Sequence, residues 1–156
     1  MAQNIDELSA AVVTQLNAHT FSPTFVAVFD DKPQHDIKEL GTLRVDVMPQ
    51  EVSRVPKTRG HDSIDYTIDV GFQQKAEPRA HTGVDSVIAL SASLRGLAQS
   101  VCQWLSVRAN RIPSGYLTAK LIEAKPVPLY DADLLREERR FIGVVRLKYR
   151  EIARPA

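Results

Sequence analysis

Apolar and polar residues alternate along this chain with two different periods, and the changes of period divide it into seven elements. Between Ile5 and Ala18, the residues Ile5, Leu8, Val12 and Leu16 recur at three- and four-residue spacing, which lays one apolar stripe along an α-helix. Asn4 stands where it can cap that helix, and Glu7 follows three residues later where its side chain can reach back. Pro23 ends any continuation. Thr24 to Phe29 (Thr-Phe-Val-Ala-Val-Phe) is β-branched and aromatic and reads as a strand. Its near-continuous apolarity predicts burial on both faces.

Asp30 to Gly41 is polar, contains Pro33 and reads as a loop. Thr42 to Met48 is a second strand, with Leu43, Val45 and Val47 on one face and Arg44 and Asp46 on the other. Pro49 to Gly60 carries Arg54, Lys57 and Arg59 between prolines and a glycine, and reads as a second loop. A third strand follows. Ile64, Tyr66, Ile68, Val70 and Phe72 alternate without a break against Asp65, Thr67, Asp69 and Gln73.

Pro78 and Gly83 bracket a turn, after which Thr82 can cap a long helix with Asp85 as its reciprocal acid. Val87, Leu90, Leu94, Leu97, Val101 and Trp104 share one stripe of that helix, expected from Val84 to Val107 and to pack on the sheet. Such a helix is about 36 Å long, enough to cross a small sheet. Gly96 inside it is expected to admit another backbone at close range. Tyr116 to Ala124 reads as a fourth strand, with Leu117, Ala119 and Leu121 on one face. Lys125 to Arg139 is irregular, with one helical turn around Leu134 and Leu135, and Arg140 to Ile152 is a fifth strand.

The order is helix, three strands, helix, two strands. Strands with one apolar and one polar face need cover on one side only. The expected fold is therefore α+β: a mixed, mainly antiparallel sheet of about five strands with two helices packed on one face, forming one domain over residues 1–156. The uncovered face collects Arg44, Asp46, Asp65, Asp69, Lys120, Arg146 and Lys148, a mixture of signs that suits cross-strand pairing.

Charge and composition narrow the function more than the fold. Lys plus Arg number 20 and Asp plus Glu 19, so the chain lacks the overall basic excess of a dedicated nucleic-acid binder. One cysteine, Cys102, precludes an internal disulfide and fits a reducing compartment. The first residues have neither the basic start nor the apolar stretch of a signal peptide, and no run of 18 apolar residues occurs, so no membrane association is expected.

Candidate chemistry is sparse. His19, His35, His61 and His81 have no second ligand at metal spacing, and the His35-Asp36 and His61-Asp62 dipeptides lie in stretches read as loops. Cys102 sits beside the long helix's apolar stripe, where a cysteine behaves as a small hydrophobe. No serine elbow, phosphate loop or dinucleotide turn is present, so no catalytic residue, metal or cofactor is expected, and no enzyme activity. Two segments exceed what a free monomer needs. They are the arginine-rich stretch Val52 to Gly60, and Lys125 to Arg139, which is long for a connection and carries Leu129, Tyr130, Leu134 and Leu135. Arg and Tyr favour protein interfaces, so Arg54, Lys57, Arg59, Leu129, Tyr130, Arg136 and Arg139 are the candidate subunit-interface residues.

Three strings carry a resemblance to a known family: Leu43-Arg44-Val45-Asp46-Val47-Met48-Pro49, the strand Asp65 to Lys75, and Pro128-Leu129-Tyr130 through Arg140-Phe141 into the last strand. With the order of elements, they make the chain similar to the tail terminators among the small neck proteins of long-tailed bacteriophages and their prophages. The resemblance implies a virion protein assembled in the host cytoplasm. It would form a homo-oligomeric ring, a hexamer in this family, that caps the tail tube protein and stops its polymerisation. The ring would face the head connector or head-completion protein and let DNA pass through its lumen without sequence-specific binding. The alternatives are a head-completion or tail-tube protein in another layer of the neck, or, in a different class, a small phage nucleic-acid-processing enzyme. The family has no catalytic motif, so no functional residue carries over by position.

Overall fold

The structure, a computed structural model, is described over residues 4–22, 24–29, 43–75, 83–113, 118–126 and 140–153. The first helix, α1 (Ile5–Ala18), starts where the cap predicts: the Glu7 backbone N–H donates to Asn4 Oδ1 at 2.9 Å. Leu8, Ala11, Val12 and Leu16 are buried on its inner face. Asn17 then ties the helix to strand β1 (Ala27–Phe29). Its amide Nδ2 donates to the Ala27 carbonyl at 3.0 Å, and its Oδ1 accepts from the Ala27 N–H at 2.7 Å. One side chain thus satisfies both polar groups of a strand residue.

Strand β1 is shorter than expected and is not buried on both faces. Ala27 is 2% exposed, but Val26, Val28 and Phe29 are 73%, 51% and 41% exposed. Its position explains this. β1 is an edge strand, paired in parallel with only Val45 to Val47 of β2.

Strand β2 (Arg44–Thr58) and strand β3 (His61–Lys75) form a hairpin of two 15-residue strands, so the stretch from Pro49 to Thr58 is strand rather than loop. Each proline coincides with an irregularity in register, between Pro49 and Glu51 and between Pro56 and Thr58. Proline is tolerated on an edge or at a bulge, where no ladder N–H is needed, and among the described residues β2 has no outer neighbour beyond Val47. Helix α2 (Gly83–Ser106) is followed by a short 3-10 turn at Arg108–Asn110, strand β4 (Ala119–Pro126) and strand β5 (Arg140–Ala153). Lys125 and Pro126, expected in a loop, extend β4, which bulges between Leu121 and Glu123. The sheet order is β1-β2-β3-β5-β4, antiparallel except at β1.

The fold is thus α+β, with a mixed, mostly antiparallel five-stranded sheet and both helices contributing to one core. Val45, Val47, Tyr66, Ile68, Val70, Phe72, Phe141, Val145, Leu147 and Tyr149 supply the sheet's side of it. From α2 come Leu94, Leu97, Val101 and Leu105, each fully buried, whereas Leu90 and Trp104 lie half-buried at its margin. Trp104 stacks on His19 with centroids 4.5 Å apart, joining the end of α2 to the end of α1. Gly96 faces open space, with nothing within 4 Å of where a Cβ would stand, so it admits no neighbouring backbone. At Gly71, by contrast, a Cβ would meet the Met48 methyl at 2.9 Å. The Thr82 cap, the 30–41 loop, His35, His81 and the turn around Leu134 lie outside the described residues.

Candidate functional site

Beyond Gln50 the β2 strand of the hairpin is left uncovered, whereas β3 opposite it stays in the sheet beside β5, with Ser63, Ile64 and Tyr66 buried. Registered pairs run from Glu51↔Thr67 to Thr58↔His61, so the ladder is maintained along its far half. Yet every β2 residue from Glu51 to Thr58 is exposed, as are Arg59 and Gly60 in the turn. Val52 and Val55, which register puts on opposite faces, are each 51% exposed. Arg54 Nε donates to Asp62 Oδ2 across the hairpin at 2.7 Å, and Thr58 Oγ1 lies 3.4 Å from His61 Nδ1. His61 and Asp62 are therefore part of the arm's frame rather than a ligand pair. A Cβ at Gly60 would meet nothing within 4 Å.

This exposed edge and its turn, the arm from Glu51 to Gly60, hold three of the seven candidate interface residues, Arg54, Lys57 and Arg59. The other four, Leu129, Tyr130, Arg136 and Arg139, lie outside the described residues. The valines of the arm and the exposed apolar residues of the two sheet edges, Val26, Val28 and Phe29 on one and Ile122 on the other, were not singled out from the sequence. Their signal was present at Val52 and Val55, but two bulges shift the alternation so that it no longer reads as one strand.

The face of the sheet turned away from the helices is built of cross-strand ion pairs. Asp69 stands opposite Arg146 and Asp65 opposite Arg150, a register that the alternation, which gave only the shared face, did not specify. Both pairs are bidentate: Arg146 donates to Asp69 at 3.0 and 3.1 Å, and Arg150 to Asp65 at 2.9 and 3.1 Å. The hydrogen bonds from Arg150 hold the Asp65 carboxyl below its ordinary range against the opposing effect of burial, and the charges of Arg150, Lys148 and Lys57 add to this. Asp69 in turn raises the Arg146 guanidinium, first by hydrogen bonding and then by its charge, with a smaller effect from Glu51.

The bulges of β2 and β4 fall at one level of the sheet, because Glu51 pairs with Thr67, Thr67 with Lys148, and Lys148 with Glu123. Between them lies an open groove of about 410 Å3, floored by Thr67, Arg146 and Lys148 and walled by Gln50, Glu51, Glu123 and Lys125. Its three cations and two carboxylates are mixed, and Arg146 is already engaged by Asp69. Among the described residues, no three His, Cys, Asp or Glu side chains come together so as to hold a metal ion. Cys102 is buried, and desolvation pushes its thiol up to about 11, which keeps it protonated and unreactive at neutral pH. No described helix is long and apolar enough to cross a membrane.

Compared with known proteins, the chain matches no family model, and no curated protein matches it.

Proposed function

We propose that the chain is the subunit of a homo-oligomeric ring that caps the tail tube of a long-tailed bacteriophage and joins it to the head connector. The observation that carries this reading is the arm. From Glu51 to Gly60 the hairpin keeps its ladder while leaving two valines exposed on opposite faces. A monomer gains little hydrophobic stabilisation from such a segment, whereas a neighbour that covers it recovers the burial of both side chains. The two sheet edges also differ. One exposes Val26, Val28 and Phe29, and the other exposes Ile122 among Lys120, Glu123 and Lys125. Unlike surfaces meeting head to tail give rotational assemblies, and these close as rings when the rotation permits.

On this reading the protein works without catalysis. Its partners are other copies of itself, the tail tube protein, and the head connector or head-completion protein, with DNA crossing the lumen. Within the ring, Val52, Val55 and the Arg54–Asp62 frame contact the neighbour, joined by the segment bearing Leu129, Tyr130, Arg136 and Arg139. A tube polymer presents the same surface after every added ring, so it stops only when a subunit with a different outer face binds its end.

Deleting the gene therefore yields tails of excessive or irregular length that fail to join heads. Tails of normal length beside unjoined heads would replace this reading with a head-completion protein, and normal joined particles would favour the enzyme. In parallel, Val52→Asp with Val55→Asp should abolish rings on tail ends, seen by electron microscopy, and leave the melting curve of the free chain unchanged.

A further inference from the structure

The whole chain is nearly balanced in charge, but the end of the arm is not. From Val52 to Gly60 it carries Arg54, Lys57 and Arg59 and no acid, and all nine residues are exposed. Arg54 is held by Asp62, while among the described residues nothing pairs with Lys57 or Arg59. The charge of Lys57 reaches Asp65 on the outer sheet face together with those of Arg150 and Lys148, so the tip belongs to the same positive field as the β5 ladder. Asp65 and Asp69 are each engaged by an arginine and leave that field's lysines unmatched by them.

Shape narrows the partner further. Ala153, near the end of β5, pairs with Asp62, so among the described residues the Thr58↔His61 pair and the turn at Arg59 and Gly60 are what extends past β5. A tip of two strands about 4.8 Å apart is narrower than the roughly 12 Å DNA major groove, so it can meet the phosphates that border the groove. The residue types agree. Lysine and serine are depleted at protein interfaces, whereas Lys, Arg, Ser and Thr supply the contacts to phosphate oxygens, and the tip offers Ser53, Lys57, Thr58 and Arg59 without an aromatic.

We propose that the tip of the β2–β3 hairpin, through Lys57 and Arg59, contacts the phosphate backbone of duplex DNA without reading its bases. The contact deepens the ring reading, in which DNA crosses the lumen. It is measured on the isolated subunit, however, so either proposal can fail without the other.

The test is fluorescence anisotropy of the full chain, confirmed as single subunits by light scattering, against a labelled mixed-sequence duplex over a salt series. The wild type binds with an affinity that falls linearly on a log–log plot against salt. Lys57→Ala with Arg59→Ala weakens binding about tenfold at low salt and reduces the slope by about two, one for each lost phosphate contact. Arg59→Ala alone removes about one, and Arg108→Ala, far along the chain, removes none. Circular dichroism melting of each variant keeps loss of binding apart from loss of folding. Salt-insensitive or absent binding by the wild type overturns the proposal, as does an unchanged slope in the double variant. A double variant that binds DNA normally but no longer joins rings on tail ends also overturns it and assigns the tip to a neighbouring subunit.

Discussion

β2 and β3 pass through two environments within one hairpin. Val45 and Val47 are 1% and 0% exposed, and a few residues along the same strand Val52 and Val55 are 51% exposed. Residue type, backbone conformation and partner strand are the same in both regions, so the ladder cannot account for the difference. Net stabilisation from each backbone hydrogen bond is about 1 kcal/mol wherever the strands pair. Burial of a valine contributes about 1.5–3 kcal/mol, and on β2 only the near half has that contribution, while Ile64 and Tyr66 of β3 stay in the core opposite the arm. In the proposed ring, this paired but uncovered edge of β2 is the surface that a neighbouring subunit would cover.

The largest expected effect breaks the comparison if it is misconceived. Leu97 is fully buried beneath the sheet's core face, and Leu97→Ala should cost about 2–5 kcal/mol in urea unfolding. Val55→Ala, on the arm, should stay within about 0.5 kcal/mol. Similar losses at the two sites would mean that the arm is covered within the monomer.

A smaller effect of opposite sign sharpens the covered half. Tyr149 is fully buried, and its hydroxyl has no hydrogen-bond partner among the described residues, while burial pushes its ionisation upward. Removing an unsatisfied buried hydroxyl relieves its desolvation cost, so Tyr149→Phe should raise the stability of the domain by about 1 kcal/mol. A lowered melting temperature would show that the hydroxyl is bonded after all.

The smallest effect belongs to the boundary between the regions, where Asp65 and Arg150 pair on the outer face. The Asp65 carboxyl is lowered in the folded chain, so its contribution is present above its ordinary value of 3.8 and is lost as pH falls through the folded value. Solvent screening keeps that contribution modest. Arg150→Gln should lower the urea midpoint slightly at neutral pH, and the gap from wild type should close below pH 3.8. A gap that persists undiminished in acid would mean that Arg150 stabilises by packing rather than by its charge.

The two helices, the five strands and the polar face could be read from the order of side chains alone. Ile64 to Phe72 alternated without a break, and the same alternation put Asp65 and Asp69 on the polar face, while the arginines opposite them were set by the strand register. Such patterns are local records of which side of an element is dry. The arm was not legible because Pro49 and Pro56 read as breakers and two bulges interrupt the period. Proline breaks a ladder only where its missing N–H is needed, and an edge strand does not need it.

How much of β2 is an edge depends on β1, which among the described residues pairs with Val45 to Val47, and whether the arm is bare depends on how far the helices reach. Likewise the apolar run before Asp30 looked like an interior strand until its place at the end of the sheet exposed Val26 and Val28. The side-chain pattern was enough for each element and its inner face. Strand order and helix reach, which are long-range packing outcomes, decided which surfaces the monomer leaves uncovered and so where partners can bind.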